Sequence, residues 1–194
     1  MIEKLTIQKR LIIETALKLM LEGFYDDASI DSVSFYAQLE PGKIRQHYST
    51  DENLRMSAMK YAAIVWVEQV KADIEKQITK KEKLYALIRH YIAGSESHSH
   101  SLSLYVDIWK KLRDLKAEDR QLLSNELSEI YSYYVSFFQE AIKDIYSNES
   151  MYDMEQLAWI MVVISDGFHV QSLIQSKQLD FDRITQTLCK MLEP

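Results

Sequence analysis

Glycine and proline are scarce in this chain of 194 residues, which contains four glycines and two prolines. Proteins rich in β-structure need many tight turns, and those turns depend on these two residue types. Hydrophobic residues make up 47% of the chain and charged residues 27%, which is typical of a folded domain rather than a disordered segment. The sequence therefore predicts an all-α protein of long helices with few connections.

Features of export and of membrane insertion are also lacking. Cys189 is the single cysteine, so no internal disulfide can form. The start, MIEKLTIQKR, mixes acidic and basic residues and has no apolar core of a signal peptide. The longest apolar run, residues 157–164, is far shorter than the roughly 20 residues that cross a bilayer. We expect a soluble, cytoplasmic protein with no membrane partner.

Three short helices are predicted within the first fifty residues. Apolar residues recur at helical spacing up to Leu21 and predict the first helix. Ser29 can cap a second helix, and Pro41 suits the first position of a third, which should run to about Tyr48. Two helices joined by a very short turn are typical of a helix-turn-helix motif, although helical bundles use such turns too.

The remainder of the sequence also predicts helices. Ser49 and Glu52 have the spacing of a capping box, which predicts the start of a long fourth helix that ends near Thr79. The polar segment 95–103 predicts a break. Further helices are expected over residues 83–93, 104–115, 117–146, 155–176 and 182–192.

The segment LEPGKIRQHY, residues 39–48, concentrates side chains that suit DNA. Arginine can bind guanine through two hydrogen bonds, and glutamine can bind adenine. From the pattern alone, these side chains could equally form the solvated face of a short helix. The candidate DNA-binding residues are Ser29, Pro41, Gly42, Lys43, Arg45, Gln46, His47 and Tyr48.

Residues 14–54 resemble the N-terminal module of the TetR family of bacterial transcriptional regulators. The resemblance implies a helix-turn-helix domain over residues 1–50 and a helical ligand-binding and dimerisation domain over 51–194, with about nine helices in all. It also implies a homodimeric repressor that a small apolar or aromatic effector releases from a palindromic DNA operator. The positions that fall in register without insertion or deletion are Ser29, Ile30, Val33, Ala37, Leu39, Gly42, Ile44, His47, Tyr48, Glu52 and Leu54.

Some positions depart from the family pattern. Glu40 stands where the family often has a capping serine that faces a phosphate, and Gln38 replaces the usual turn glycine. The net charge of the chain is −6, and residues 1–60 hold eight Lys and Arg against nine Asp and Glu, which is low for a DNA-binding module. The alternative is a TetR-like helical protein that binds small molecules or proteins and has lost DNA binding.

Aromatic residues lie mainly beyond residue 60, where sixteen of the twenty-one occur. Most should fill the core, yet small organic ligands are held in apolar cavities with a few polar groups. The resemblance places the effector site among helices four to eight. The candidate ligand-binding residues are Trp66, Tyr105, Trp109, Tyr134 and Phe168.

The last two predicted helices are candidates for a dimer interface. The helix near residues 157–174 has apolar residues on more than one face, and the final helix carries a second apolar stripe. Around a two-fold axis they would form a four-helix interface, and the alternative is that both are buried within their own subunit. The candidates are Leu157, Ile160, Ile164, Gln171, Ile184 and Leu188.

Enzyme chemistry has no positive support in the sequence. There is no Gly-x-Ser-x-Gly nucleophile motif and no glycine-rich phosphate loop. His98 and His100, with Glu96 nearby, could offer metal ligands, but two loop histidines are far more often simply solvated. We therefore expect no enzyme activity, no cofactor and no metal.

Overall fold

Helices form most of this chain because apolar side chains recur every three to four residues with few residues to interrupt them. The computed structural model describes residues 6–93, 98–146, 153–175 and 180–192, and these ranges contain no β-strand. The predicted all-α fold class is thereby confirmed. The helices of these ranges are α1 (Ile7–Glu22), α2 (Ile30–Ala37), α3 (Pro41–Arg45), α4 (Asp51–Glu75), α5 (Lys80–Ala93), α6 (His98–Asp114), α7 (Ala117–Tyr146), α8 (Met154–Gln175) and α9 (Phe181–Leu192).

None of these nine helices is long and apolar enough to cross a membrane. The bounds of α7, α8 and α9 agree with the predicted ones to within one residue. Their long amphipathic patterns made them easy to locate, since helix existence is clearest where the period is strong.

Two compact units divide the chain. The first comprises Met1–Val65 and His100–Glu126, and the second comprises Trp66–Ser99 and Leu127–Pro194. Helix α4 therefore begins in the first unit and ends in the second, as does α7. The predicted boundary between a DNA-binding domain and a ligand-binding domain at residue 50 stays a prediction, because it separates functions rather than packing units.

The first three helices pack together in the first unit. Helix α1 packs against α2 and against a 3₁₀ turn at Tyr25–Asp27, and α2 packs against α3. On α1, Ile12, Ala16 and Met20 are buried at the four-residue spacing of one helix face. Ser29 caps α2 as predicted, because its Oγ accepts the Ser32 N–H at 3.0 Å.

A left-handed residue makes the turn between α2 and α3. Gln38 has φ 54° and ψ 42°, and its backbone N–H donates to Phe35 and Ser34 carbonyls at the end of α2. A side chain with a Cβ is strained in this region, which explains why glycine is the usual residue at such a turn. The short connection confirms the predicted helix-turn-helix arrangement.

Helix α3 is shorter than predicted, since it ends at Arg45 rather than near Tyr48. The His47 and Tyr48 N–H groups both donate to the Ile44 carbonyl at 2.9 Å, so the chain closes into a turn instead of continuing the helix. Gln46 and His47 therefore lie on a turn that follows the helix.

The predicted capping box at Ser49 and Glu52 is wrong. Thr50 caps α4 instead, because its Oγ1 accepts the Asn53 N–H at 3.1 Å. Glu52 does not reach back to the backbone, and its carboxylate accepts from the Tyr25 hydroxyl at 2.6 Å. The prediction named the wrong capping residue because Ser49 and Thr50 are adjacent and either side chain can cap a helix.

Two further helix ends differ from the prediction. Helix α4 stops at Glu75, and Thr79 is the cap of α5, where Glu82 Oε2 accepts the Thr79 N–H at 2.9 Å and Thr79 Oγ1 accepts the Glu82 N–H at 3.2 Å. Helix α6 begins at His98 inside the predicted break, since no glycine or proline occurs in residues 95–103 to stop it.

The core of the second unit surrounds a group of aromatic side chains. Trp66, Tyr91 and Phe138 are buried there together with apolar residues of α5, α7 and α8. Helix α5 packs against α8 and α9, and its Leu84 and Ile88 are fully buried.

Candidate DNA-binding surface and ligand sites

The segment of α3 and the turn after it exposes polar side chains to solvent and buries two apolar side chains. Lys43, Arg45 and Gln46 are exposed. Ile44 is fully buried, and Tyr48 is 8% exposed. This alternation orients one polar face outward on a segment of a turn and a half, which is the arrangement that a recognition helix needs.

Gly42 is not required by the packing of the protein. A Cβ added at this position would meet no other atom within 4 Å. Glycine is common where a ligand must approach the backbone closely.

Acidic side chains lie beside this surface. Arg45 Nη2 is 3.5 Å from Asp31 Oδ1, and both side chains are mostly exposed. Glu40 precedes α3 and makes no capping hydrogen bond with its side chain. An exposed ion pair contributes little, roughly 0–1 kcal/mol, so a phosphate or a base could replace Asp31 at Arg45 without a large loss.

Two of the predicted DNA-binding residues also have structural roles. The Ser29 hydroxyl caps α2 and lies 2.6 Å from the Ser32 hydroxyl. Tyr48 is buried, and this burial raises the pKa of its hydroxyl. Pro41 occupies the first turn of α3, and the His47 side chain is half-buried. DNA contact by any of the eight residues stays a prediction.

A cluster of charged side chains in the first unit, which was not predicted from the sequence, joins α4, α6 and the 3₁₀ turn. Arg55 Nη1 lies 2.8 Å from Asp26 Oδ1, and its Nε donates to the Ala28 carbonyl at 3.1 Å. From α6, Lys111 Nζ contacts Asp26 Oδ1 at 2.6 Å and Glu52 Oε2 at 3.1 Å. We call Asp26, Glu52, Arg55 and Lys111 the charge cluster.

Tyr25 lies at the centre of this charge cluster. Lys111 Nζ lies 4.9 Å from the centre of its ring, and its hydroxyl donates to Glu52. Burial, followed by the nearby Glu52 carboxylate, raises the pKa of the Tyr25 hydroxyl. Glu52 and Arg55 have the three-residue spacing of an ion pair on one helix, so part of the cluster could have been predicted from the sequence. The contacts of Lys111 could not, because only the fold brings it close to Asp26 and Glu52.

The predicted ligand-binding residues are only partly brought together. Trp66 and Tyr134 meet edge to face with ring centres 5.2 Å apart, and Phe168 packs against the same core. Trp66 is 5% exposed, so it fills the core rather than facing open space. Tyr105 and Trp109 are half-buried on α6 and belong to the first unit.

Other aromatic contacts complete this arrangement in the second unit. Tyr91 lies 5.1 Å from Trp66 and 5.1 Å from Phe138, and its hydroxyl donates to the Tyr134 carbonyl at 2.7 Å. We call Trp66, Tyr91, Tyr134 and Phe138 the aromatic cluster. Edge-to-face contacts and a satisfied hydroxyl are typical of a well-packed interior.

Two cavities open elsewhere in the second unit, and none of the five predicted residues lines either of them. The larger, of about 850 Å³, lies between the end of α4, α5 and α9. The smaller, of about 220 Å³, is lined by residues of α4, α5 and α7 that include Lys71, Lys83 and Asp144.

Asp166 is a half-buried acid within the apolar helix α8. Burial raises the pKa of its carboxyl to about 6, and the Tyr131 hydroxyl nearby opposes that shift. The sequence shows that an acid lies within an apolar helix. Only the packing around Asp166 shows that its pKa is raised.

No known protein-family profile matches the chain, and no curated protein matches it. Solved structures do match it over nearly the whole length. The fatty acid degradation regulator FadR from Bacillus halodurans superposes with a TM-score of 0.70 at 14% identity, covering 98% of this chain and 96% of that one. A protein described as a TetR-family transcriptional regulator from Rhodococcus sp. gives 0.70 at 14% identity, with 93% and 94% covered. The chain has the TetR-regulator fold.

A third match was solved with a ligand. FadR from Bacillus subtilis in complex with stearoyl-CoA gives a TM-score of 0.67 at 19% identity, covering 94% of this chain and 96% of that chain. The resemblance found in the sequence is thus confirmed at the level of the TetR-regulator fold.

Within this TetR-type fold, α8 exposes a row of apolar side chains. Trp159 is 38% exposed, Ile160 53% and Val163 65%, and they lie on neighbouring positions of one helix face. Gly167 and Gln171 are exposed further along the helix. We call Trp159, Ile160 and Val163 the α8 apolar face.

The other predicted interface residues have a different environment. Leu157, Ile164, Ile184 and Leu188 are half-buried and pack against the core of their own unit. Ile160 and Gln171 remain on the surface. Dimer formation stays a prediction.

The histidine pair lies partly outside the described residues. Glu96 is among the residues that are not described, and nothing is described of the side chains of His98 and His100. In the part of the chain that the structure describes, no group of three or more His, Cys, Asp or Glu residues could hold a metal ion.

Proposed function

We propose that this protein is a ligand-responsive, DNA-binding transcriptional regulator that acts as a homodimeric repressor. The observation that carries the proposal is the helix-turn-helix of a TetR-type fold, in which Lys43 and Arg45 of α3 and Gln46 of the following turn are exposed to solvent. Arginine and glutamine suit base edges in the major groove, and lysine suits a phosphate.

The α8 apolar face supports the dimer. Contiguous exposed apolar side chains on a helix mark a surface that another protein covers, and a two-fold axis lets one helix cover its own copy. In a dimer, the two α3 helices would enter half-sites about one helical turn of DNA apart, roughly 34 Å or a multiple of it.

The dimer can be tested with one exposed residue. Val163→Asp should convert the dimer to a monomer in sedimentation velocity, because it places a charge in the centre of the α8 apolar face. Leu122→Asp is the matched control, since Leu122 is a 59% exposed apolar residue on α7 in the first unit. A dimer that survives Val163→Asp would contradict the assignment.

The effector is proposed to be a small apolar or aromatic molecule that binds near the aromatic cluster in the second unit. Helix α4 runs from Asp51 in the first unit to Glu75 in the second and is the proposed connection to the DNA-binding helices. The effector can act only through its different affinity for the DNA-binding and the released forms.

The second candidate is a helical protein of the same fold that has lost DNA binding. Two observations favour it: Arg45 is already paired with Asp31, and Glu40 adds a negative charge at the start of α3. Such a protein would keep the dimer and the ligand but would show no preferred DNA sequence.

Selection of bound sequences from a random DNA pool distinguishes the two candidates. A regulator should recover a palindrome, and its affinity should fall steeply with salt because bound phosphates release counterions. Combined Lys43→Ala and Arg45→Ala should reduce operator affinity at least about tenfold, since each good base contact contributes roughly 1–3 kcal/mol. Selection without enrichment by a folded dimer would favour the second candidate.

The matched control for that pair lies on α1. Arg10→Ala and Lys18→Ala remove the same two charge types from exposed positions of the first unit, far along the sequence from α3. If the control pair weakened binding as much as the α3 pair, overall charge would explain the effect, and α3 would have no special role.

A further inference from the structure

One cavity of the second unit has the volume of a small-molecule site. Its volume is about 850 Å³, and small-molecule sites occupy about 300–1,000 Å³. It lies within one unit, between the end of α4, one face of α5 and one face of α9. Its lining residues are Asp73, Gln77, Lys81, Glu82, Tyr85, Ala86, Arg89, His90, Gln186, Cys189 and Lys190. We call it the α5–α9 cleft.

The two acids of the α5–α9 cleft already have partners within the chain. Asp73 contacts Lys76 Nζ at 2.6 Å and His90 Nε2 at 3.0 Å, and these contacts, Lys76 first, hold the pKa of Asp73 below its usual value. Glu82 is bound by Thr79 in the capping box of α5. Part of the negative charge of the cleft is therefore balanced by side chains and hydrogen-bond donors of the chain itself.

Two of the basic side chains that line the cleft, Lys190 and Arg89, are available to a ligand. Lys190 has no ion-pair partner within the ranges that the structure describes. Arg89 Nη1 lies 3.2 Å from Asp182 Oδ1, but Asp182 is largely exposed and an arginine has five N–H donors. The charge that the cleft can offer to a ligand is thus positive.

Apolar surface lies beside these charges. The Tyr85 ring, Ala86 and Cys189 line the same cleft, and the Tyr85 hydroxyl donates to Asp182 at 3.3 Å, so its polar end is occupied. We propose that the α5–α9 cleft binds an amphiphilic organic anion, with its carboxylate or phosphate at Lys190 and Arg89 and its apolar body on Tyr85 and Cys189. This site is separate from the aromatic cluster and does not depend on DNA binding.

Cys189 makes the location directly measurable. It is the single cysteine of the chain, it is buried, and it lines the cleft. A molecule bound there should slow the alkylation of Cys189 by iodoacetamide, a neutral reagent whose approach does not depend on charge.

The experiment compares three probes with the same apolar body in the full-length protein without DNA. They are 2-naphthoate, which is an anion, 2-naphthalenemethanol, which is neutral, and 2-naphthylmethylamine, which is a cation. The anion should slow alkylation and bind in calorimetry with one site per chain. We expect it to bind at least about fivefold more tightly than the amine, the effect of about 1 kcal/mol from one exposed charge pair.

Two variants with the same charge change identify the anion contact. Lys190→Gln should weaken 2-naphthoate about fivefold, as expected for loss of one partly exposed charge. Arg183→Gln, on the exposed part of the same helix and outside the cleft, should leave the affinity unchanged. Circular dichroism establishes that both variants are folded.

Several results would overturn the proposal. Equal binding of the amine would mean that positive charge does not select the ligand, and binding without protection of Cys189 would place the site elsewhere. Protection by inorganic phosphate alone, as strong as by 2-naphthoate, would show a plain anion site. If the rate of Cys189 alkylation fell as the protein concentration was raised but did not change when a probe was added, a second copy of the chain would be covering the cleft.

Discussion

Replacing Arg55 by methionine should loosen the helix-turn-helix without affecting the second unit. The Arg55 side chain is 9% exposed, and it is the member of the charge cluster that contacts the backbone. Its Nε donates to the Ala28 carbonyl at 3.1 Å and its Nη2 donates to the Asp26 carbonyl at 3.0 Å. Methionine retains the apolar stem and removes these donors.

The magnitude follows from the separate contacts. A hydrogen bond to a charged group contributes roughly 1.5–3 kcal/mol, and Arg55 makes two with backbone carbonyls. Its ion pairs with Asp26 and Glu52 add little, at most about 1 kcal/mol each, because both carboxylates are partly exposed. The burial of the guanidinium opposes these gains. The net loss should be about 3 kcal/mol of the opening free energy.

Native-state hydrogen exchange measures this loss where it occurs. Amide groups of α2 should exchange about a hundredfold faster in Arg55→Met, since 1.4 kcal/mol corresponds to tenfold. Amide groups of α5 should keep their wild-type exchange rates. In Arg55→Lys the amide groups of α2 should exchange at rates between those of the wild type and of Arg55→Met, because lysine keeps the charge and loses the planar set of N–H donors. A change in α2 below about fivefold would refute the assigned role of these hydrogen bonds.

Three smaller predictions concern positions where the structure departs from simple expectation. Gln38→Gly should raise the unfolding free energy by about 1 kcal/mol in urea denaturation, because the left-handed conformation strains a Cβ, whereas Ala37→Gly inside α2 should lower it by about as much. Thr50→Ala should lower it by about 1 kcal/mol and Ser49→Ala should not, since Thr50 is the cap; equal effects would restore Ser49 as the cap. Asp166 has a pKa raised to about 6 from 3.8. Between pH 3.8 and about 6 the Asp166 carboxyl is protonated in the folded protein and ionised in the unfolded chain. The free energy of unfolding is therefore highest, as far as Asp166 is concerned, below pH 3.8, and it falls as the pH rises through 6. Asp166→Asn should remove that decline and be roughly 1–2 kcal/mol more stable at pH 7, after discounting for solvent screening; an unchanged pH profile would contradict the shift.

Helix ends were the least predictable part of the fold. Thr79 was expected at the end of α4, and the structure uses it to start α5, because a threonine can follow one helix and cap the next with equal local chemistry. The start of α6 at His98 likewise shows that a polar stretch stops a helix only when its residues favour another backbone conformation.

Candidate sites were predictable where they lie close together in the sequence. The exposed residues of α3 could be chosen from one segment, since a short helix fixes which side chains share a face. The contact of Lys111 with Asp26 could not be predicted, because the two residues are 85 positions apart in the sequence. The α5–α9 cleft could not be predicted either, because its lining residues come from separate helices.

The sequence by itself determined the helical class, the amphipathic order of the helices and the short turn that resembles a helix-turn-helix, because each depends on the spacing of residues within one segment. Only the tertiary structure decided which aromatic rings fill the core, which acids are already neutralised and which apolar face of α8 stays open. Those properties depend on what other helices bring to each side chain, and burial and charge pairing between distant segments leave no local period in the sequence.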